Sequence, residues 1–246
     1  MPLITGHRRL FVRRAVAATF VASMLITARP ATAATILAEN FDNVANLVPS
    51  GWKIVNNSAP IGGTDWFQGN PAVFNSQSGA ANSYVAANFN AADFGGNISD
   101  WLISPMLTLE NLETISFWTR TEAGSTFPDR LELRLSVNGA STNVGATDAS
   151  VGDFSTLLFS VNPAVAPGGY PENWAFLSVT ISGLGGPTNG RFAFRYTVPD
   201  TSLNADYIGI DTVRVNSAPV PEPATILLVG LGLLGSVRAR RQTRRS

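Results

Sequence analysis

The chain contains no cysteine and only one histidine, His7, among 246 residues. Without cysteine there is no disulfide, no thiol nucleophile and no cysteine-based zinc site. His7 lies in the predicted leader described below, so the exported part has no histidine base for a Ser-His-Asp triad. The folded part must therefore be stable through its hydrophobic core alone, and about 185 residues are enough for one substantial core.

Positive charge is also scarce in the central part of the chain. Residues 35–218 contain only seven basic residues against 16 Asp and Glu, a formal net charge of about −9. The whole chain has a net charge of zero because most of its arginines lie near the two ends. A strongly acidic domain argues against binding to nucleic acid or to anionic membrane surfaces, and it favours divalent cations.

Residues 1–34 are predicted to be a signal peptide. An apolar segment over residues 15–26 is followed by the small-residue cleavage site Ala31-Thr32-Ala33. The positive residues before the apolar segment are Arg8, Arg9, Arg13 and Arg14. Cleavage beside Ala33 and Ala34 would start the mature chain at Ala34 or Thr35. The paired arginines also fit a twin-arginine signal, but the ordinary Sec signal is favoured because nothing suggests a cofactor loaded before export.

The C-terminal end combines the motif Val220-Pro221-Glu222-Pro223, an apolar run over residues 224–237 and five arginines between residues 238 and 245. As a helix, the apolar run would rise only about 21 Å, short of a membrane core of about 30 Å. The arginines would stay on the cytoplasmic side. This order resembles the PEP-CTERM sorting signal. The resemblance implies transient anchoring in the inner membrane and cleavage near residues 220–223 by the membrane protease exosortase. The alternative is a plain C-terminal anchor.

Between the two ends, residues 35–216 are predicted to form an all-β domain. Leu131, Leu133 and Leu135 alternate with polar residues, and similar short runs are separated by Gly, Asn, Pro and Ser, which is typical of a sandwich. Further strands are predicted over residues 113–120, 153–161, 174–181 and 192–198. About ten strands would form two packed antiparallel sheets. A linker with the processing motif over residues 217–223 and a hydrophobic helix with a basic tail over residues 224–246 complete the chain.

One predicted strand changes phase along its length. Ile208 and Ile210 alternate in one phase and Val213 and Val215 in the other, with the slip at Asp211-Thr212. A β-bulge would produce this slip and would turn Asp211 in a different direction from its neighbours. The alternative is that both faces of the strand are buried, so that the phase has no meaning.

Several motifs in the predicted domain resemble the choice-of-anchor J domains, relatives of the cleaved adhesin domains of secreted bacterial proteases. The motifs are Glu39-Asn40-Phe41-Asp42, Pro49-Ser50-Gly51-Trp52, Asp65-Trp66-Phe67, Ser83-Tyr84-Val85, Asp100-Trp101-Leu102-Ile103-Ser104-Pro105 and Tyr207-Ile208-Gly209-Ile210-Asp211. The resemblance covers roughly residues 35–216. The resemblance implies a jelly-roll β-sandwich, commonly with structural calcium, and a role in adhesion rather than catalysis.

A calcium site is predicted at Glu39, Asp42 and Asp211, because the first and last strands of such jelly rolls often lie side by side. Calcium takes roughly six to eight oxygen ligands from carboxylates and carbonyls. Two considerations oppose the site. Carboxylates at strand ends commonly cap turns, and Thr212 stands where relatives often have a second acidic residue.

The tryptophans and the acidic residues bear on two other functions, sugar binding and glycoside hydrolysis. Trp66 and Trp174, flanked by polar residues, are predicted sugar-binding platforms, with the alternative that they cover the ends of the sandwich. Trp101 and Trp118 lie in apolar strands and are predicted to be core. Glycoside hydrolysis would need two facing carboxyl groups, and Glu110 with its neighbour Glu113 is better explained as solvated surface.

The sequence therefore predicts an exported, non-catalytic, adhesin-like protein of the cell surface or extracellular matrix. The alternative is a carbohydrate-binding module for the cell's own exopolysaccharide, and a glycoside hydrolase is only a residual possibility.

Overall fold

The computed structural model describes residues 33–219. Thirteen strands run through this part of the chain, together with two 3-10 helical turns at Val44–Asn46 and Phe89–Ala91. The strands are β1 (Thr35–Glu39), β2 (Lys53–Asn56), β3 (Ala59–Ile61), β4 (Phe67–Gln68), β5 (Val85–Asn88), β6 (Ala92–Ile103), β7 (Leu107–Leu109), β8 (Thr114–Thr121), β9 (Leu131–Ser136), β10 (Thr156–Val161), β11 (Ala175–Thr180), β12 (Thr188–Val198) and β13 (Tyr207–Asn216).

The strands form two antiparallel sheets that pack face to face. One sheet has the order β11-β8-β13-β5-β4, and β1 also pairs with β13. The other has the order β10-β9-β12-β6-β2, with β3 added on β6 and β7 on β12. Both sheets and the core between them lie within residues 35–216, so we expect this part of the chain to fold on its own. The predicted jelly-roll-like β-sandwich is confirmed.

The core lies between the two sheets and is built from alternate residues of each strand. In β12, Phe192, Phe194 and Tyr196 point inward and are fully buried. Phe194 meets Phe117 of β8 across the sandwich, with ring centroids 4.8 Å apart at 72°. Burial of such large rings supplies much of the stability that a domain without disulfides needs.

Loops also cover parts of both outer faces. Trp101 of β6 packs there against Phe154 and Val144, which belong to the long connection between β9 and β10. On the other sheet, the connection between β4 and β5 brings Phe74 onto Tyr84 and Tyr207. The first cluster explains why β6 and β12 are buried on both faces, and the second covers the outer face of β5 and β13.

The strands predicted from the alternating runs each correspond to an observed strand. Trp101 is buried as expected, whereas Trp118 is only half-buried because it faces outward and packs against Phe176 of the edge strand β11. The predicted signal peptide falls almost wholly outside the described residues, as do Val220, Pro221, Glu222, Pro223 and the predicted C-terminal helix. Among residues 33–219, no helix is long and apolar enough to cross a membrane.

Candidate functional site

The last strand contains the predicted bulge. The pairing of β13 with β8 changes register between Asp211 and Arg214, and Thr212 has a φ of 52°. Because of the extra residue, Ile208, Ile210, Val213 and Val215 all enter the same core despite their different phases. The bulge is therefore confirmed, but it does not redirect Asp211. Asp211 pairs with the outward-facing Trp118 in regular register, so it lies on the outer face because it follows the inward-facing Ile210.

The Asp211 carboxylate holds a loop against that outer face. Its Oδ2 accepts hydrogen bonds from the backbone N–H groups of Gln77 (2.8 Å) and Ser78 (3.0 Å). Its Oδ1 accepts one from the Thr212 hydroxyl at 3.0 Å. Burial raises the pKa of Asp211, although these hydrogen bonds favour the ionised form. The carboxylate thus anchors residues 76–80 to the sheet through backbone donors.

Glu39 and Asp42 lie near the same corner of the sandwich. Glu39 pairs with Val213 across the β1–β13 ladder, and its Oε1 accepts a hydrogen bond from the Phe41 N–H at 2.8 Å. Asp42 is exposed, and its Oδ1 would lie 3.3 Å from a Cβ placed on Gly79 of the anchored loop. However, no three His, Asp or Glu side chains within residues 33–219 are grouped so that they could hold a metal ion. Calcium binding at Glu39, Asp42 and Asp211 therefore stays a prediction, without support from the geometry.

Trp66 is not the exposed platform that its polar neighbours suggested. Its ring is only 4% exposed and belongs to the main core. Its neighbour Gln68 directs its side chain to the backbone, with Oε1 accepting from Val44 N and Nε2 donating to Phe41 O. Gln68 is thus used inside the structure, whereas Asp65 is exposed, and the buried indole has no free face for a sugar.

Trp174 covers the aromatic cluster on the outer face of the six-stranded sheet. Its ring meets Phe74 and Tyr84 edge-on, with centroids 5.6 Å and 5.7 Å away. Its Nε1 donates to the carbonyl oxygen of Asn75 at 2.9 Å. A Cβ on Gly209 would lie 3.0 Å from this indole, so the ring packs directly on the sheet backbone. Trp174 therefore fits the alternative role, a structural cover.

The burial of two acidic residues, Asp100 and Asp129, is not predicted from the sequence. Asp100 of β6 is fully buried, and apart from the backbone N–H of Trp101 its carboxyl oxygens have no hydrogen-bond partner among the described residues. Burial is the main cause that raises the pKa of Asp100 well above the usual range, and the nearby charge of Asp65 adds to it. Asp129 is also fully buried, but its carboxylate accepts hydrogen bonds from Thr121 Oγ1, Tyr196 Oη and the Asp206 N–H. The sequence pattern does not indicate that either carboxyl group is buried, and only the folded structure shows it.

Glu110 and Glu113 do not form a catalytic pair. They sit in one turn, where the Glu113 carboxylate accepts a hydrogen bond from the Glu110 N–H at 3.1 Å. Burial raises the pKa of Glu113. The two residues thus close the turn before β8 and do not face each other across a cleft.

A pocket of about 510 Å³ lies at one end of the sandwich, and we call it the loop-end pocket. Three segments line it: the turn and strand start around Phe89 and Phe94, the loop after β8, and the loop before β13. The lining residues are Phe89, Phe94, Glu122, Ala123, Gly124, Ser125, Thr126, Phe127, Thr201, Ser202, Ala205 and Asp206. Its size is typical of sites for small ligands.

Hydrogen bonds tie the three segments of the loop-end pocket together. Phe89 N–H donates to Asp206 O at 3.0 Å, and Glu122 N–H donates to Tyr207 O at 3.3 Å. The Thr201 hydroxyl donates to Asp93 O at 2.8 Å. The walls are therefore fixed by the framework before any ligand enters, which reduces the entropy lost on binding.

These features define a β-sandwich domain with a preformed aromatic pocket at one end. The K1 cleaved adhesin domain of Lys-gingipain (Kgp) from Porphyromonas gingivalis W83 has the same fold, with a TM-score of 0.50, 22% sequence identity, and 74% of this chain and 97% of that chain covered. The K2 cleaved adhesin domain of Lys-gingipain matches at a TM-score of 0.50 and 18% identity, covering 73% of this chain and 98% of that one. The CBM22-1 xylan-binding domain of Paenibacillus barcinonensis Xyn10C matches at only 0.38 and 14% identity, over 76% of this chain and 97% of that chain.

The C-terminal end of the chain matches a separate family model. The family model of the PEP-CTERM protein-sorting motif matches residues 219–245. The chain thus joins a cleaved-adhesin-like sandwich to a C-terminal sorting motif, as the sequence predicts, and the motif indicates an exported protein. A comparison with curated proteins finds no match to this sequence.

Proposed function

We propose that this chain is an exported, non-catalytic protein of the cell surface or extracellular matrix. The observation that carries the proposal is the sorting motif over residues 219–245, attached to a sandwich with the fold of cleaved adhesin domains. A β-sandwich that carries a sorting motif and a pocket of ligand size could bind a component of the cell surface or matrix. Adhesion is the function that this combination supports best.

Processing follows from the motif. The C-terminal segment holds the chain in the inner membrane for a time, and an exosortase-type protease removes it near residues 220–223. The sandwich then passes outward to the surface or the matrix. Within the sandwich, Ala34 N–H donates to Ser217 Oγ at 2.9 Å and Ala34 O accepts from Ser217 N–H at 2.8 Å. Both ends of the mature domain are thus fastened to each other within the sandwich.

A binding role also agrees with the acidic residues of the loop-end pocket. Glu122 and Asp206 line the loop-end pocket and are only half-buried, so both can contact a bound ligand. Glu110 and Glu113 are committed to their turn. Incubation of the purified domain with an oligosaccharide should therefore leave the oligosaccharide intact.

The test of the proposal compares the full chain with a variant that lacks residues 220–246, both produced in a host that has an exosortase. Antibody against the sandwich should label intact cells or their matrix for the full chain only. A truncated variant that reaches the surface equally well would contradict sorting by the tail. Total protein in each culture, measured after lysis, controls for expression.

A second candidate function is binding to the cell's own exopolysaccharide. The observation that favours it is the loop-end pocket, whose exposed phenylalanine rings offer apolar faces beside carboxylates. The sites predicted at Trp66 and Trp174 do not offer this, because one ring is buried and the other covers the sheet.

A further inference from the structure

We propose that the loop-end pocket binds amino sugars of a polysaccharide, with the sugar rings on its phenylalanines and the protonated amino groups beside its carboxylates. This inference rests on the proposed function, because it names the class of ligand that the surface protein would hold. It replaces the two tryptophans as the sugar-binding surface.

The first argument is the exposure of the aromatic rings. Phe94 is 88% exposed, Phe89 47% and Phe127 45%. Within the described residues, none of the three rings packs against another aromatic ring, in contrast to the aromatic cluster around Phe74. Phenylalanine has no polar edge that would favour exposure to water, so three exposed rings around one pocket indicate a contact surface.

The second argument is charge. Glu122 and Asp206 line the pocket, and none of its lining residues is Lys or Arg. No side-chain hydrogen bond within residues 33–219 occupies either carboxylate, whereas Asp211 and Asp129 accept several. Residues 35–218 carry a formal charge of about −9. This field attracts an ammonium group and repels uronic acids, phosphates and sulfated sugars.

The third argument distinguishes a glycan from a basic peptide. The rings are separate from one another, so they offer several platforms to successive rings of a polymer rather than one site for one side chain. Thr126 and Ser202 also line the pocket, and a hydroxyl can both donate to and accept from the hydroxyls of a sugar. A lysine side chain would use one carboxylate and leave most of this surface unfilled.

The experiment measures binding of residues 33–219 to short oligomers by calorimetry at two salt concentrations. The probes are β-1,4-linked glucosamine oligomers, N-acetylglucosamine oligomers of the same backbone and length, galacturonic acid oligomers, and oligolysine. We expect the glucosamine oligomers to bind most tightly and to weaken with added salt, because salt screens exposed charges. The acetylated oligomers should bind more weakly, and the galacturonic acid oligomers should not bind.

Two variants in the loop-end pocket and two controls assign the site. Phe94→Ala, at a ring that is almost fully exposed, should weaken binding of both glucosamine and N-acetylglucosamine oligomers about tenfold or more without unfolding the domain. Glu122→Gln should weaken binding of glucosamine oligomers about threefold to fivefold, reduce its salt dependence, and leave the acetylated oligomers unaffected. Phe176→Ala, at a 55% exposed ring outside the pocket, and Glu110→Gln should bind like the wild type.

Several results would overturn the inference. These are no binding of glucosamine oligomers, equal or tighter binding of galacturonic acid oligomers or oligolysine, or equal losses in the pocket variants and in their controls. The outcome is separate from that of the surface-labelling test. Loss of glycan binding with intact surface display would remove only the ligand assignment, whereas failure of surface display would remove the proposed function.

Discussion

At the scale of single residues, the buried carboxyl group of Asp129 should make the stability of the domain depend on pH. Its carboxyl group is fully buried, and burial raises its pKa to about 6 even though Asp206 N–H, Thr121 and Tyr196 donate hydrogen bonds to it. The nearby charge of Asp206 raises the pKa further. The hydrogen bonds satisfy the carboxylate but do not fully replace the water it has lost.

The sign of the effect follows from the two pKa values. The group has a pKa of about 3.9 in the unfolded chain and of about 6 in the folded one, so the folded state binds the proton more tightly. This contribution to the free energy of unfolding is fully present below about pH 4 and is lost as the pH rises through about 6. We expect Asp129 to make the domain about 1 kcal/mol more stable at pH 5 than at pH 7. Denaturant unfolding at pH 5 and at pH 7 measures this difference in the free energy of unfolding.

Asp129→Asn provides the control, because the amide cannot titrate and still offers an oxygen to Tyr196. Its stability should change less between the two pH values than that of the wild type. Burial also raises the pKa of Asp100, Glu113 and Asp211, so a change of the same sign remains in the variant. A variant with the same pH dependence as the wild type would assign the effect to those other groups.

At the scale of elements, Asp211 of β13 determines how a distant loop is held. It lies on the outer face directly before the bulge, and its carboxylate accepts hydrogen bonds from the N–H groups of Gln77 and Ser78. Hydrogen bonds to a charged acceptor are stronger than neutral ones. One carboxylate thus links the last strand to the connection between β4 and β5.

Asp211→Asn separates this structural role from the predicted calcium site. Because a charged acceptor is lost inside the structure, we expect the free energy of unfolding to fall by about 1 to 3 kcal/mol in the presence of a chelator. Thermal unfolding of wild type and variant, with chelator and with calcium, gives the comparison. If the variant matches the wild type in chelator and differs only with calcium, the carboxylate acts as a metal ligand, and the loop-anchoring account is wrong.

The bulge was predictable from the sequence, but the environment of Trp66 was not. Ile208, Ile210, Val213 and Val215 show the phase change directly, because burial on one face has a period of two residues. Trp66 lies beside an irregular segment without such a period. Its neighbours Asp65 and Gln68 suggested exposure, and only the tertiary contacts of Gln68 show that polar neighbours can accompany a buried ring.

At the scale of the whole molecule, the sequence allowed prediction of the sandwich and of the sorting motif but not of the loop-end pocket. Alternation and a C-terminal motif are local features of a sequence. The pocket combines Phe89, Phe127 and Asp206, which are far apart in the chain and meet only because three loops reach the same end of the sandwich. In the sequence, Asp206 and Glu122 are ordinary loop residues. The structure shows that they line one pocket whose lining residues include no Lys or Arg.

The central claim is that the sandwich reaches the surface and loses its C-terminal tail. Intact-mass analysis of the protein recovered from the cell surface or matrix tests it most directly. We predict a form that begins at Ala34 or Thr35, after the cleavage site Ala31-Thr32-Ala33, and that ends near residues 220–223. A surface form that retains residues 224–246 would contradict the account and would indicate a permanent anchor.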